Sequence, residues 1–409
     1  MMKDMIKENI RLIKEYSKNN YKKCFRQADG RLEYPFLVPG AVYTELWDWD
    51  SWLSGMAIKE IAGEESVFEY EKGCVLNFLL FQDKDGRIPI NVTAYERQSM
   101  FDLSEKRTNI HKPCLAQHAL FICQKNNEYQ WLKDSMPSFE KFIKWYDENC
   151  YHEKSGLYYW IDDFAIGVDN DPCSFYRPNN STASIFLNSL MYSEFMALAK
   201  LFEHYNDTKK ANTYNEKAQK LKNSINKECW DEKDGFYYSA DINLLPVDKN
   251  EWLHSGAPIN YNSLIMRIGV WSGFLPLWNN MASKEQAERI VKENYLNEKT
   301  FNAPYGVRSL SKAEKMYQVI ATGNPSCWLG PIWINVNYFV FKGLLNYGYK
   351  DLAKDLAIKT VNLLGKDLSE CGEYHEYYDG ESGKGVNNQG FQSWNLLSYS
   401  MATWLEENL

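Results

Sequence analysis

Apolar residues recur along most of this chain at the three-and-four spacing of helices with one buried face. Twelve segments carry that period, at roughly 3–19, 48–62, 66–82, 113–126, 128–148, 181–205, 207–227, 261–280, 283–296, 330–346, 349–366 and 391–407. In the sixth, Leu187, Leu190, Met191, Phe195, Leu198 and Leu201 share a face, and Asn180 or Ser181 is placed to cap it. In the eleventh, Leu352, Leu356, Leu363 and Leu364 do the same, with Asp351 as the expected N-cap. The connections alternate in length. Long ones, at 20–47, 83–112, 149–180, 228–260, 297–329 and 367–390, precede every second helix. Short links make antiparallel helical neighbours. Repeated hairpins would therefore bring all six long loops out at one end.

An internal similarity supports the repeat. Cys150-Tyr151-His152-Glu153-Lys154-Ser155-Gly156-Leu157-Tyr158-Tyr159 matches Cys229-Trp230-Asp231-Glu232-Lys233-Asp234-Gly235-Phe236-Tyr237-Tyr238 in pattern. The two begin at 150 and 229, a separation of 79 residues, which is one pair of helices with their loops. No linker interrupts the pattern, so residues 1–409 are expected to form one all-α domain, although 409 residues alone would suggest two or three.

Composition narrows the function. The net charge of −8 disfavours a nucleic acid or an anionic membrane, and no basic patch with interleaved aromatics offsets it. Nine cysteines without a Cys-x-x-Cys pair disfavour zinc ribbons and suit reduced thiols. The first residues, Met1 to Glu8, lack the apolar stretch of a secretion signal, and no apolar run suggests a membrane span. A cytoplasmic protein with a small-molecule partner and no membrane is expected, its oligomeric state open. The outlier is aromatic content: 14 Trp, 28 Tyr and 20 Phe make 15% of the chain. Tyr and Trp join a flat apolar face to a polar edge, which suits sugar rings.

The long loops carry acids among these aromatics. The sixth holds Gly372-Glu373-Tyr374-His375-Glu376-Tyr377-Tyr378-Asp379. The first ends Tyr43-Thr44-Glu45-Leu46-Trp47-Asp48-Trp49-Asp50. Carboxylates accept hydrogen bonds from sugar hydroxyls, and indoles stack on ring faces. The third loop has four acids, Asp162, Asp163, Asp169 and Asp171, within ten positions. Crowding and burial raise carboxyl pKa values, as a general acid requires. Oxygen ligands for calcium are the alternative use of that cluster, though its spacing is not that of an EF-hand. The fifth loop closes with Asn324-Pro325-Ser326-Cys327-Trp328-Leu329-Gly330-Pro331-Ile332-Trp333, and the Gly-Pro is expected to start a helix.

These residues carry a resemblance. Trp328-Leu329-Gly330-Pro331-Ile332-Trp333 resembles the Trp-x-Gly-Pro-x-Trp signature of glycoside hydrolase family 63. Glu376-Tyr377-Tyr378-Asp379 followed by Ser382-Gly383 is similar to its Glu-x-Tyr-(Asp/Asn)…Thr-Gly element, which trehalases share in part. Gly167-Val168-Asp169-Asn170-Asp171-Pro172 resembles its Gly-x-Asp-Asn-Ser-Pro, and Tyr43 to Asp50 resembles the substrate loop of the small mannosylglycerate and glucosylglycerate hydrolases. The resemblance implies an (α/α)6 barrel and inverting hydrolysis, with Asp169 as general acid, Glu376 as general base and no metal or other cofactor. It implies substrate contacts at Tyr43, Trp47, Asp48, Trp49, Asp50, Gln117, Asn170, Arg177, Trp328, Gly330, Trp333 and Tyr377. Three departures stand out: Asp171 replaces Ser, Leu329 replaces a common Arg, and Ser382 replaces Thr.

Asp169 precedes the sixth helix and Glu376 the twelfth, opposite positions in a six-hairpin ring. That arrangement suits an inverting pair, whose carboxyls stand far enough apart to admit a water. Glu373 is the rival base. Asp162 and Asp163 read as substrate holders or structural acids, and His111, His118 and His375 as hydrogen-bonding neighbours. The expected substrate is a small α-glucoside or α-mannoside, with glycerate the leading aglycone and Arg177 or Arg308 to hold its carboxylate. An α-glucosidase acting on a disaccharide of the trehalose or kojibiose type is the alternative. A sugar epimerase would want paired histidines, and only six exist. Lyases share the toroid. A terpene-type synthase would want a third acid after Asp162-Asp163, and a non-catalytic carbohydrate-binding toroid remains open.

Overall fold

The structure is a computed structural model that describes residues 2–63, 67–95, 108–244, 261–320 and 326–409. Its described helices are α1 Met2–Asn20, α2 Asp48–Ala62, α3 Phe68–Leu80, α4 Leu115–Asn126, α5 Met136–Asn149, α6 Ile185–His204, α7 Thr208–Glu228, α8 Leu275–Trp278, α9 Lys284–Arg289, α10 Ile334–Asn346, α11 Lys350–Cys371 and α12 Leu397–Asn408. The even-numbered helices form a closed inner ring. α2 packs on α4, α4 on α6, α6 on α8, α8 on α10, α10 on α12, and α12 back on α2. Odd-numbered helices stand outside: α3 covers α2 and α4, α7 lies along α6, α11 along α10 and α12, and α1 closes the seam against α11 and α12. This is an (α/α)6 barrel.

The two rings differ in pattern for a physical reason. An outer helix meets water on one side and keeps a single apolar stripe, as Ile6, Ile10 and Ile13 do on α1. An inner helix is covered all round, so the first eight residues of α10, Ile334 to Phe341, are all buried. α6 is, by length and composition, the one described helix apolar enough to cross a membrane, contrary to the reading of the chain as free of such a run. Its apolar window is 78% buried inside the ring, which accounts for the composition.

Short hairpins follow the outer helices. Tyr151 pairs with Tyr158, and Trp230 pairs with Tyr237 in the same register. Tyr158 donates to Asp147 on α5 and Tyr237 to Asn226 on α7, each at 2.6 Å. The turn glycines Gly156 and Gly235 both take the left-handed backbone that the repeat needs. The repeat inferred from the sequence is thus a structural one. Further bridges sew successive long loops together around one end of the barrel: Leu46–Trp47 with Asn91–Val92, Ala240 with Ala183 and Ile265, Arg308 with Ile332, Ile332 with Tyr378, and Gly40 with Phe391.

Several expected boundaries move. The helix over 261–280 is not formed: Leu264–Ile265 is a strand, Trp271–Phe274 a 3-10 turn, and α8 has four residues. Pro276 lacks an amide hydrogen and sits at the start of α8, where the loss is tolerated. Pro137 likewise sets the start of α5, leaving Gln130–Ser135 as a 3-10 turn. Ser184, rather than Asn180 or Ser181, caps α6 by accepting from Phe186 N. Tyr349 occupies the N-cap of α11, with Asp351 inside the first turn, and α11 runs on to Cys371 until Gly372 turns left-handed. α10 begins at Ile334 and not at Gly330-Pro331, because Gly330 has φ +139 and Trp333 is extended.

Candidate active site

The loop end of the barrel holds a cavity of about 440 Å³, within the range of small-molecule sites. Among the described residues, five of the six long connections line it, through Pro39 to Asp50, Ile90, Asp163 to Phe175, Ser326 to Trp333, and Glu376 with Phe391 and Trp394. Of the residues expected at the site, Tyr43, Trp47, Trp49, Asp50, Asp169, Trp328, Trp333 and Glu376 lie on this one wall. Asp169 comes from the segment before α6 and Glu376 from that before α12, three inner helices apart in a ring of six.

Glu376 is 4% exposed. Tyr43 donates its hydroxyl to Oε1 at 3.1 Å, while Asn387 and Asn388 donate to Oε2 at 2.9 and 2.6 Å. Burial is the main influence on its acidity and pushes the carboxyl up to about 7. The three donors oppose the rise, and the charge of Asp169 adds to it. Glu373 faces the other way: its side chain is 40% exposed and pairs with Lys23 at 3.1 Å.

The floor is an aromatic stack. Trp328 and Trp333 lie parallel at 4.0 Å between ring centres, and Trp333 continues onto Tyr377 at 4.8 Å. Trp394 stands edge-on to Trp49 and to Trp333, and Trp49 lies tilted against Trp328. The Trp333 indole N–H donates to Cys327 O, which fixes the ring. Asp163 also lines the cavity, with its carboxyl raised to about 7, first by burial and then by the charges of Asp171 and Asp169. Asp50 is raised to about 7 for the same first reason, although Ser393 donates to it at 2.9 Å.

Six expected substrate contacts do not line the cavity. Asp48 points into the protein, where its carboxylate holds the fully buried Lys112 ammonium at 2.9 Å. Asp48 and Asp50 are two positions apart at the start of α2, hence on different faces. Gln117 donates to Pro113 O and Leu190 O. Arg177 pairs with Asp241 at 2.5 Å. Gly330 passes under Tyr317, where a side chain would lie 2.4 Å from the ring. Tyr377 stacks behind Trp333. Asn170 takes the left-handed backbone, donates to Ser326 O at 3.0 Å and accepts from Trp328 N at 3.0 Å. It staples the Asp169 loop to the Trp328 loop. Asn170→Ala would remove both hydrogen bonds of this staple and is expected to lower the free energy of unfolding by about 1–3 kcal/mol, read as a lower denaturant midpoint. Arg308, the other candidate for a glycerate carboxylate, is buried, pairs with Glu381 at 2.5 Å and donates to three backbone carbonyls. Asp171 turns back to accept from Cys173 N instead of facing the cavity.

Sequence reading missed Asn387, Asn388, Phe391, Trp394 and Lys112. The adjacent asparagines were a usable signal, since both adopt positive φ, which Asn tolerates best among non-glycine residues. Among the described residues, one group brings three ligand-type atoms within 4.8 Å of one another, Asp367, Cys371 and His375. Asp367 already accepts from the His375 ring and from the Tyr378 hydroxyl, so the group braces the loop behind Glu376. His111 contacts Lys112 O, as expected of a hydrogen-bonding neighbour. His118 Nε2 is buried with no hydrogen-bond partner. In the suspected calcium loop, Asp162 accepts from Phe164 N and Asp163 from the Ser174 hydroxyl, so both acids bind their own loop. Asn324 and Pro325 lie outside the described residues.

Comparison with known proteins agrees with this geometry. The profile of the mannosylglycerate hydrolase MGH1-like glycoside hydrolase domain matches residues 43–394. The mannosylglycerate hydrolase of Thermus thermophilus is 30% identical over 166 residues, 40% of this chain and 32% of its own. The cytosolic neutral trehalase of Kluyveromyces lactis is 24% identical over 421 residues, 85% of this chain and 51% of its own. The chain spans about half the length, or less, of the first curated relatives it matches. In fold, a crystal structure of a family 63 mannosylglycerate hydrolase from Thermus thermophilus, with Tris and D-glycerate, superposes with a TM-score of 0.66 at 18% identity, covering 98% of this chain and 99% of its own.

Proposed function

This chain belongs to the mannosylglycerate hydrolase MGH1-like glycoside hydrolase family, and on that premise we propose that it hydrolyses a small α-linked glucoside or mannoside with inversion, using Asp169 as general acid and Glu376 as general base. The observation that carries the reading is one cavity lined by both carboxyls, which reach it from opposite sides of the ring. Inverting hydrolysis needs a proton donor on one face of the sugar and a base with a water on the other. In the proposed step, Glu376 takes a proton from the water as its oxygen bonds to the anomeric carbon. The bond to the leaving oxygen breaks, and Asp169 gives that oxygen its proton.

The surroundings suit these roles. Tyr43, Asn387 and Asn388 fix both oxygens of Glu376, so the base is oriented before substrate arrives. The aromatic floor offers a stacking surface for the sugar that is cleaved, and Asp50 offers a carboxyl for its hydroxyls. Proton NMR of the first-formed sugar tests the reading. An α-linked substrate is expected to release the β-anomer before mutarotation. Release of the α-anomer would assign a covalent, retaining route and remove Glu376 as base.

A further inference from the structure

The lining of the cavity changes from its depth to its mouth. Trp49, Trp328, Trp333 and Trp394 are buried, whereas Phe164 and Phe175, on the same wall, are 45% and 47% exposed. Tyr176, edge-on to Phe175 with ring centres 4.6 Å apart, is 71% exposed. Large apolar side chains left in water around a binding cavity mark a surface that a ligand covers. This lip is built rather than incidental. Asp163 sits beside Phe164 on one 3-10 turn, and Ser174, beside Phe175, donates to Asp163 at 3.1 Å, which ties the two aromatic segments together. The Phe175 amide donates to Asp171 O at 2.8 Å and fixes the second segment.

Charge limits what can sit there. The described lining holds four acids, Asp50, Asp163, Asp169 and Glu376, and no Lys, Arg or His. Lys112 packs behind Trp49 and Gly167, but its ammonium is taken up by Asp48. Arg177 and Arg308 are engaged by Asp241 and Glu381. Among the described residues, a buried anionic aglycone would meet carboxylates without a countercharge, which is costly. A sugar ring has what the lip asks for: no charge, a flat C–H face for an aromatic, and hydroxyls that donate to a carboxylate.

Building on the hydrolase reading, we propose that the mouth is a subsite for a second, uncharged sugar ring, stacked on Phe164 and Phe175 and hydrogen-bonded to Asp163. The substrate class is then a neutral α-linked gluco- or manno-disaccharide, or a longer glycan, and not a glycoside of an acidic aglycone.

The test compares kcat/KM for α-linked gluco- and manno-disaccharides, for glucosylglycerate and mannosylglycerate, and for the α-glycosyl fluorides, whose leaving group needs no second-ring site. A disaccharide is expected to exceed both glycerates. Phe175→Ala and Phe164→Ala are each expected to lower kcat/KM for that disaccharide about tenfold more than for the fluoride, the worth of one good ring contact. Preference for a glycerate, or an equal loss on disaccharide and fluoride, would overturn the subsite while leaving the hydrolase. Failure to turn over any substrate, fluorides included, would remove both.

Discussion

Replacing Glu376 with Gln is expected to lower kcat by about 10²–10⁴-fold, while Glu373→Gln stays close to the parent enzyme. The two carboxyls are three residues apart and differ in surroundings. Glu373 is turned outward to Lys23, and Glu376 is buried against the cavity with both oxygens engaged. Gln fits the same space. Its carbonyl can accept from Asn387 and Asn388, and its amide can donate to the Tyr43 oxygen, so the loop is kept and only the basicity is lost. The pH profile gives a second readout. Because burial raises this carboxyl to about 7, a base at this position is protonated and idle below that pH, and the rising limb of the kcat/KM profile should be centred near 7. Stability should show the opposite sign. A carboxyl raised on folding favours the fold at low pH, and that contribution is lost as pH rises through 7. Glu376→Gln does not titrate, so at pH 8 it should melt no lower than the parent. Loss of activity with a lower melting temperature would mean damage to the loop instead. Full activity in Glu376→Gln and loss in Glu373→Gln would transfer the role to Glu373.

In the sequence that discrimination rested on the motif match alone, because both acids sit on an irregular loop without a period to orient them. What was legible rested on periodic or repeated features. The Trp-Asp-Trp-Asp run gave α2 its observed bounds, Asp48–Ala62, because the apolar pattern and the acids of the first turn agree there. The matching segments at 150 and 229 fold into matching hairpins, because each apolar position pairs across a two-residue strand. The long loops were legible as a class, since they alternate with short links and are rich in aromatics. Long-range partners were not legible. Nothing near Arg177 in sequence announces Asp241, and nothing near Arg308 announces Glu381, yet those pairings remove both arginines from the cavity. Asp48 and Asp50 read alike, but one lies against Lys112 inside the protein and the other on the cavity wall. The helix expected over 261–280 failed for a related reason. Its apolar spacing mimics a helix, while Pro276 and the close approach of Gly273 to Phe236 admit only a short one.

Asp169→Asn is expected to lower kcat/KM on a disaccharide by about 10²–10⁴-fold, yet to cost far less on an α-glycosyl fluoride. The difference lies in the leaving group. A sugar alkoxide leaves only if a proton reaches its oxygen as the bond breaks, whereas fluoride departs with little help. An acid that acts on the leaving oxygen is therefore needed for one substrate and nearly dispensable for the other. A residue that binds the sugar being cleaved, or holds the loop, is needed for both. Asp169 has the placement for the first role, on the cavity wall beside the Asn170 staple that holds its loop against Trp328. Asp163 is the competitor, since it lines the same cavity and is raised to about 7, a fitting acidity for a proton donor. Its hydrogen bond from Ser174 turns it toward the lip, so Asp163→Asn is expected to raise KM on a disaccharide and leave no leaving-group dependence in kcat. Assaying both variants on both substrates separates the roles. If the fluoride rescues kcat of Asp163→Asn and not that of Asp169→Asn, Asp163 is the proton donor, and Asp169 becomes the residue that holds the sugar.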